Sequence, residues 1–566
     1  MKYIIRVISL FSILFTLLSL NACSESDNSP TQQTPIDPKL LIVEDNILKY
    51  APAKSASAYK LTQLSDSAFN NLTSKQKYKV ADKLLSSLFF AYSYEELKQR
   101  IESHTFLSDV QQELLESHNN MGYLESEIHN SEHYYISDSK PQNVILSRFA
   151  AMKNLDNAYF NHWISYILTQ TILFSPAAEL GTVAAPDAYA VYNRLYYALD
   201  DDFSMRYSSF SHMISDENWR RFRSPEDNGR EMLEIYALDG NDANVPIAAQ
   251  ALKNWHLSKD ADTLLVTQDR NTEELSILQD MKFKNGREFY AALCNAPEFT
   301  EGVTSRLVDF MFTDNNEEEK ASVVKKIVSS KPEAWPDILK QILFSKEYLL
   351  NAKRAKSIEE LVFPLMKKLS YNSYYYTFNT LTDQMDNMSQ PAMKYKLGKL
   401  TRVPLDDISF AFYQSYIRDE IFRPYSIDTA LSNHPNYEKT DDKNSASIMD
   451  NYKNYKRRGA SSKIFMSEDR YEVVETDISI TNTNYVKYLF ESILNRTPSV
   501  EENTMIMNHI ANSYYKNYLL ANTGVYDQDV ADYNRYTRYQ GRYLINYLVF
   551  EYMLRLDELY FFGEVE

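Results

Sequence analysis

Four of the five charged residues between positions 226 and 234 form a group of side chains that could do acid–base chemistry. Glu226, Arg230 and Glu234 recur every four residues, and Glu231 lies beside them. On a helix this spacing places the arginine between two carboxylates. In a catalytic interpretation, one glutamate has a raised pKa and acts as acid or base while Arg230 keeps another ionised. In a structural interpretation, which we favour, the carboxylates clamp Arg230 and the group orients neighbouring helices.

The residues His129, Glu132 and His133 resemble the His-x-x-Glu-His pattern of the inverted zinc peptidases. On a helix, two histidines four residues apart could bind zinc while the glutamate activates water. The pattern falls near the end of a polar helix, shortly before the turn-like S-D-S-K-P at 137–141, and no downstream glutamate is identified as a third ligand. We therefore expect a solvated helix end here, with no metal and no other cofactor.

Tyrosine is abundant, with 44 in the chain, and several tyrosines crowd into short spans. One span includes Tyr374, Tyr375 and Tyr376, and another includes Tyr533, Tyr536, Tyr539 and Tyr543. Exposed rings of this kind would suit stacking on sugar rings or on a protein partner, and Trp255 is a further candidate for binding. In the alternative that we favour, the tyrosines pack between helices with their hydroxyl groups at the rim.

A helix must position the charged group, and the stretch from Ser224 to Trp255 has the signals for two helices. Ser224 can cap the first helix, Pro225 suits its first position, and acidic residues follow where the helix dipole favours negative charge. Asp239-Gly240 is expected to end this helix. A second helix is predicted from about Val245 to Trp255.

The same stretch resembles the uncharacterised bacterial family catalogued as domain of unknown function 1800. That family carries a Pro-Asn-Glu-Asn-aromatic-Ala-Arg-Glu-Leu-x-Glu-Leu block, followed by a Val-x-x-Ala-Ala-Arg-Ala-Leu-Thr-Gly-Trp block. Its first block corresponds here to Glu226, Arg230, Glu231 and Glu234, and its second to Val245, Ala248, Ala249, Ala251, Leu252 and Trp255. Asn228 stands at the aromatic position and Gln250 at the arginine of the second block, so a catalytic site of the family would be weakened in this chain.

The resemblance is specific at 224–255 and extends more softly over about 150–425. It implies an architecture without naming a reaction, because the activity of the family is not established. It also implies a protein partner, since members often accompany a sulfatase-like family. From this we expect a role in handling extracellular polymer or glycan.

Composition narrows the classes of function. The formal net charge of −17 argues against a nucleic-acid partner and against loose adhesion to anionic lipid. The sequence contains no Gly-x-Ser-x-Gly, no phosphate-cradling glycine loop and no Cys-x-x-Cys pair, which disfavours the common hydrolase, nucleotide-binding and zinc-ribbon classes. Glycine is scarce, at 11 residues, and long stretches have helical periodicity, so helices are favoured over hairpins.

The amino terminus resembles a bacterial lipoprotein signal. Lys2 and Arg6 precede an apolar run that is too short to span a bilayer comfortably, and Ala22 stands just before Cys23. We expect cleavage after residue 22 and lipidation of Cys23, whose three acyl chains would anchor the protein firmly in the membrane. Ser24, rather than aspartate, follows the cysteine, which favours the outer membrane by resemblance to the sorting rule of enteric-type bacteria.

The whole chain is predicted to be all-α, a multi-helix array or bundle with at most a short strand near 471–481. The expected segments are the signal peptide 1–22, a flexible tether 23–40, an N-terminal helical region 41–145, a family-like helical domain 146–430, a polar loop or linker 431–470 and a C-terminal helical region 471–566.

Local signals place individual helices within these regions. Thr73 with Gln76, Ser93 with Glu96 and Ser357 with Glu360 are capping-box patterns, and Pro364 should kink or break its helix. The final helix, 541–562, is apolar nearly all round and should be buried. His162 and Cys294 are expected to be packed in the core.

We therefore predict an outer-membrane lipoprotein that binds or scaffolds rather than catalyses. The alternative is a hydrolase that uses either the Glu226, Arg230, Glu231 and Glu234 group or a zinc site at His129–His133.

Overall fold

The computed structural model describes eleven parts of the chain, and most of their residues are helical. These parts are residues 58–118, 141–172, 185–258, 263–267, 273–278, 281–368, 375–388, 390–393, 414–417, 478–509 and 549–565. The prediction of a mostly helical, multi-helix fold is confirmed.

The helices before the first strand fall into two groups. The first comprises α1 Asp66–Asn70, α2 Ser74–Ser87, α3 Tyr94–Glu102 and α4 Phe106–Glu113. The second comprises α5 Pro141–Ala151, α6 Asn157–Thr171, α7 Ala185–Asp200, α8 Met205–Met213, α9 Asp216–Arg221, α10 Pro225–Ala237 and α11 Val245–Leu252.

Two short hairpins separate these helices from the rest. Their strands are β1 Trp255–Leu257, β2 Leu264–Val266, β3 Leu275–Ile277 and β4 Met281–Phe283. The elements that follow are α12 Gly286–Asn295, α13 Pro297–Met311, α14 Glu317–Ser329, α15 Trp335–Leu343, α16 Lys346–Asn351, β5 Arg354–Ala355, α17 Ile358–Lys368, α18 Tyr375–Asn387, α19 Ile478–Leu494, α20 Val500–His509, α21 Asp557–Tyr560 and β6 Phe561–Phe562.

The core is one continuous cluster of buried apolar side chains that extends from Leu61 to Tyr560. Helices α6 and α17 are buried along nearly their whole length. The ring of Phe149 on α5 lies between them, 5.6 Å from the ring of Tyr166 on α6 and 5.6 Å from that of Phe363 on α17. The hydroxyl of Tyr166 on α6 donates a hydrogen bond of 2.6 Å to Glu359 on α17, which satisfies two polar groups inside this core.

The predicted helix from Val245 to Trp255 is too long. Helix α11 ends at Leu252, and Trp255 opens strand β1, where it pairs with Val266. The two hairpins at 255–283 were not predicted, because each strand is only three residues long and the segment lacks the glycine-containing turns that announce a hairpin.

Three further expectations change. The strand suggested near 471–481 does not form from Ile478 onward, where α19 begins, and 471–477 lie outside the described residues. The continuous final helix is wrong: after a helical stretch through Met553 the chain turns, forms α21 and then pairs β6 with β5. Pro364 does not end its helix, since α17 continues to Lys368.

Two glycines allow α10 to approach its neighbours closely. A Cβ atom at Gly229 would lie 2.9 Å from the Cβ of Ala248 on α11. A Cβ atom at Gly302 on α13 would lie 2.4 Å from the carbonyl oxygen of Tyr236. These contacts set the packing of the helix that carries the predicted charged group. Within the described ranges, no helix combines the length and apolar character that crossing a membrane requires.

Candidate functional site

Helix α10 begins as predicted. The side chain of Ser224 accepts a hydrogen bond from the backbone N–H of Asp227, and Pro225 is the first helical residue. The start of the helix therefore fixes Glu226, Arg230 and Glu234 along one face. The helix ends at Ala237, one residue earlier than expected, and Leu238 caps it in the left-handed conformation with φ 52°.

The charged group on α10 lies on open surface. Arg230 binds Asp242, from the loop after the helix, at 2.6 Å, and its second contact, with Glu226, is 3.8 Å. The side chains of Arg230, Glu226 and Asp242 are 38%, 71% and 83% exposed. The hydrogen bond that Arg230 donates to Asp242 raises the pKa of Arg230. Arg230 is therefore not clamped in the interior, and its closest carboxylate partner is Asp242 rather than Glu234.

Trp255 is part of the core and not an exposed platform. It is 4% exposed, its ring stacks on Trp219 at 5.8 Å, and it meets Tyr290 edge to face at 5.4 Å. Tyr375 and Tyr376 lie in the first turn of α18. Tyr374 and the group from Tyr533 to Tyr543 lie outside the described residues, as do Cys23 and the three residues His129, Glu132 and His133.

His162 and Cys294 are packed in the core, as predicted. The Nε2 atom of His162 lies 3.2 Å from the carbonyl oxygen of Ile145, and its Nδ1 atom is bonded to the hydroxyl of Tyr192. Burial lowers the pKa of His162 well below its usual value. Burial likewise raises the pKa of the Cys294 thiol, which keeps it protonated and unreactive.

A cavity with a charged lining lies elsewhere, beside α2. It has a volume of about 500 Å³ and opens between α2, α17, the end of α19 and the segment 557–565. Its charged lining comprises Lys75, Lys79, Asp82, Lys83, Lys353, Lys356, Glu360, Lys368, Arg496, Asp557, Glu558 and Glu564. This is a size and a mixture of groups that suit a small ligand.

Asp82, Lys83, Lys356 and Lys368 line the cavity, and we call these four residues its floor. Asp82 binds three side chains there. Its carboxylate binds Lys356 at 3.0 Å, Lys368 at 2.9 Å and the side-chain amide of Asn495 at 2.8 Å. Burial alone would raise the pKa of Asp82, but the two lysines outweigh it and hold the pKa below the usual range. Asp82 is therefore ionised and joins α2, α17 and the residues after α19.

Lys83 occupies the other part of the floor. The residue is 3% exposed, and its ammonium group donates to the carbonyl oxygens of Ala352 at 2.6 Å and Gly563 at 3.2 Å. Burial, and secondarily the charge of Arg354, lower the pKa of Lys83 well below its usual value, although Glu564 opposes the shift. Lys83 thus has no carboxylate as a hydrogen-bonded partner among the described residues.

Two further sets of ion pairs involve residues that line the cavity. Arg496 lies between Glu558 at 2.5 Å and Glu502 at 2.7 Å, and Lys353 pairs with Glu564. These contacts attach the segment after α20 to the body of the protein. Burial would raise the pKa of Glu502, but Arg496 lowers it to about 2.

The sequence contains one local signal for this cavity, a repeat of lysines on α2. Lys75, Lys79 and Lys83 recur every four residues along α2, the same spacing that drew attention to Arg230. The remaining members could not be found in this way, because Lys356 and Lys368 are 274 and 286 positions from Asp82.

Across the described parts of the chain, no group of histidine, cysteine, aspartate and glutamate side chains is arranged to hold a metal ion. Comparison of the chain with protein-family models, curated proteins and solved structures finds no match.

Proposed function

We propose that this protein is a non-catalytic binding or scaffolding lipoprotein of the outer membrane, which works with a partner protein on extracellular polymer or glycan. Support for the anchor comes from the amino-terminal pattern that ends at Ala22-Cys23. Support for the partner comes from the resemblance of 224–255 to the family catalogued as domain of unknown function 1800.

The cavity beside α2 is the observation that carries the binding part of the proposal. Of its five carboxylates, four are held by lysine or arginine: Asp82, Glu360, Glu558 and Glu564. A general acid or base works best with a pKa near the operating pH, whereas the lysines beside Asp82 keep its pKa low. A cavity of this kind suits ligand recognition better than proton transfer.

The group on α10 supports the same conclusion. Catalytic carboxyl groups acquire raised pKa values through burial or like charge. Glu226 is 71% exposed and lies beside Arg230, so this carboxylate is not enclosed. The hydrolase alternative at His129–His133 stays a prediction, because those residues lie outside the described parts of the chain.

Affinity purification from detergent-solubilised outer membranes tests the proposal. The full-length protein and its Cys23→Ser variant are compared, partners are identified by mass spectrometry, and zinc is measured in the same samples. We expect the wild type to fractionate with the outer membrane and to retain a stoichiometric partner without metal. The Cys23→Ser variant should leave the membrane fraction, because it cannot be acylated.

A fusion of residues 1–40 to an unrelated protein is the control for partners that bind only the tether or the lipid. Equal membrane attachment of wild type and Cys23→Ser would exclude the lipid anchor. A protein without a partner, carrying about one zinc ion per chain, would exclude the non-catalytic role and indicate His129, Glu132 and His133 as ligands.

A further inference from the structure

Three lysines meet at the cavity floor with one carboxylate between them. Asp82 binds Lys356 and Lys368, whereas the hydrogen-bonded partners of Lys83 are two carbonyl oxygens. Arg354 is paired with Glu360, so these two residues together add no net charge to the floor. The floor therefore has an excess of positive charge, in a chain whose formal net charge is −17.

Each of these lysines keeps a donor for a ligand. An ammonium group has three N–H donors. Lys83 donates to Ala352 and Gly563, Lys368 donates to Asp82 and to the carbonyl of Ile493, and Lys356 donates to Asp82. At least one N–H group on each lysine is therefore uncommitted within the part of the chain that the structure describes.

The charges on the floor are poorly solvated. The Lys368 side chain is 5% exposed and that of Lys356 is 6% exposed. Burial lowers the pKa of Lys368 although Asp82 opposes the shift, and burial with Arg354 lowers that of Lys83. Hydrogen bonds from charged donors to an anion are strong where water is excluded. An anionic group would therefore supply the negative charge that the floor lacks.

Apolar side chains form the wall above the lysines. Leu361 and Leu365 of α17 are 3% and 1% exposed, and Phe562 of β6 is 4% exposed. Pro364 and Ile493 also line this wall. A ligand that reaches the floor must pass its body along these residues, so an apolar or ring-shaped body fits better than a heavily hydrated one.

We propose that the cavity binds a small organic anion, with an oxyanion head group on Lys83, Lys356 and Lys368 and a ring-shaped or apolar body against α17. The inference rests on the proposed function, since it takes this cavity as the binding site. Carboxylates and phosphates share the required head-group chemistry, and both are included in the test.

Ligand-observed NMR on the full-length protein in detergent micelles measures binding of benzoate, phenyl phosphate and benzamide. Benzamide has the shape of benzoate without its charge. We expect both anions to bind at least about tenfold more tightly than benzamide, as charged hydrogen bonds predict. Lys83→Met should weaken binding of the anions by roughly 10- to 100-fold and leave benzamide unchanged.

The Asp82→Asn variant should change anion affinity in the opposite direction. It removes the one carboxylate of the floor, so the anions should bind about threefold more tightly or better, whereas structural damage would weaken them. Lys282→Met, at a lysine that is 59% exposed on the surface, is the control and should change nothing. If Lys83→Met does not fold, Asp82→Asn decides the matter alone.

Equal binding of benzoate and benzamide would overturn the inference, as would weaker anion binding in a folded Asp82→Asn variant. Dissociation constants above about 10 mM for both anions would overturn it as well. These results leave the proposed function standing if the protein still retains its partner on purification. Absence of a partner together with normal anion binding would instead contradict the proposed function and leave the inference about the cavity standing.

Discussion

Arg354 and Glu360 form a bidentate ion pair in the interior of the protein. Both terminal nitrogens of the guanidinium group lie 2.5 Å from a carboxylate oxygen of Glu360, and the two side chains are 0% and 1% exposed. Glu360 also accepts the backbone N–H of Ser357 at 2.8 Å, which is half of the capping box at the start of α17. One carboxylate thus joins β5 to the first turn of α17.

Glu360→Gln is expected to destabilise the fold by about 3–5 kcal/mol, because it leaves Arg354 buried without a counter-charge. Urea unfolding followed by circular dichroism measures the change. Glu274→Gln is the matched control, since Glu274 pairs with Lys282 at 2.8 Å but is 53% exposed, and it should not shift the midpoint. Equal midpoints for the two variants would contradict the prediction.

Gly302→Ala should destabilise the protein by about 1–3 kcal/mol through overpacking. The new methyl group would lie 2.4 Å from the carbonyl oxygen of Tyr236, where α13 meets α10. On helix propensity alone the same change would be stabilising by up to about 1 kcal/mol, so the sign of the effect separates the two causes. Gly240→Ala, with no atom within 4 Å of the added Cβ, is the control in thermal unfolding.

The ion pair of Glu217 predicts how the stability of the fold depends on pH. Its carboxylate lies 2.7 Å from Arg194 and is 8% exposed. Burial alone would raise its pKa, but Arg194 outweighs burial and lowers the pKa to about 2. The unfolded value is about 4.3. The pair therefore stabilises the fold fully above about pH 5, and this contribution is lost as the pH falls toward 2.

Glu217→Gln should accordingly lower the free energy of unfolding by about 2–3 kcal/mol at pH 7, and the difference from wild type should shrink between about pH 5 and pH 3. Urea unfolding at a series of pH values tests this. Glu317→Gln, at a side chain that is 88% exposed, serves for comparison. A difference that does not vary with pH would show that Arg194 does not set the pKa of Glu217.

The charged group on α10 should be dispensable for folding. Arg230→Gln is expected to leave the thermal midpoint unchanged, because the partners of Arg230 are mostly exposed. Arg306→Gln is the matched arginine variant. Arg306 donates to the carbonyls of Glu234 at 3.0 Å and Ile235 at 3.1 Å, so its loss should cost about 1–2 kcal/mol.

An activity assay completes this comparison. Loss of a measurable activity in Glu231→Gln, with the fold intact by circular dichroism, would restore the hydrolase interpretation of the group. Unchanged behaviour of Glu231→Gln and Arg230→Gln is the result that the binding proposal requires.

Helix starts were the most predictable part of this fold. Ser224 caps α10, and Thr73 with Gln76 forms a complete capping box before α2, as the sequence indicated. Ser357 and Glu360 bond reciprocally at the start of α17 in the same way. Each of these signals joins groups three residues apart, so neighbouring residues alone decide them.

Helix ends and hairpins were less predictable. Nothing within Val245 to Trp255 forbids a longer helix, but Trp255 packs on Trp219 and pairs with Val266. Trp219 and Val266 are distant from Trp255 in the sequence, and helix propensity, which depends on neighbouring residues, does not take such contacts into account. Tertiary packing therefore outweighed the local preference of this segment.

The spacing of Glu226, Arg230 and Glu234 was likewise correct as a statement about one helix face. It did not predict that this face meets solvent, nor that Asp242 would bind the arginine. Burial depends on which face of α10 the neighbouring helices cover, and this is set by the contacts at Gly229 and Gly302. A spacing rule contains no information about the partner helix.

The sequence by itself therefore determined where helices begin and which residues share their faces, since capping and the 3.6-residue repeat are local. The tertiary structure alone decided that Asp82 and Lys83 of α2 meet Lys356, Lys368 and the carbonyl of Gly563. The last of these contacts joins residues 480 positions apart. This contact forms because apolar packing brings α2, α17 and β6 together. The buried charged groups then pair with the polar groups that this packing places beside them.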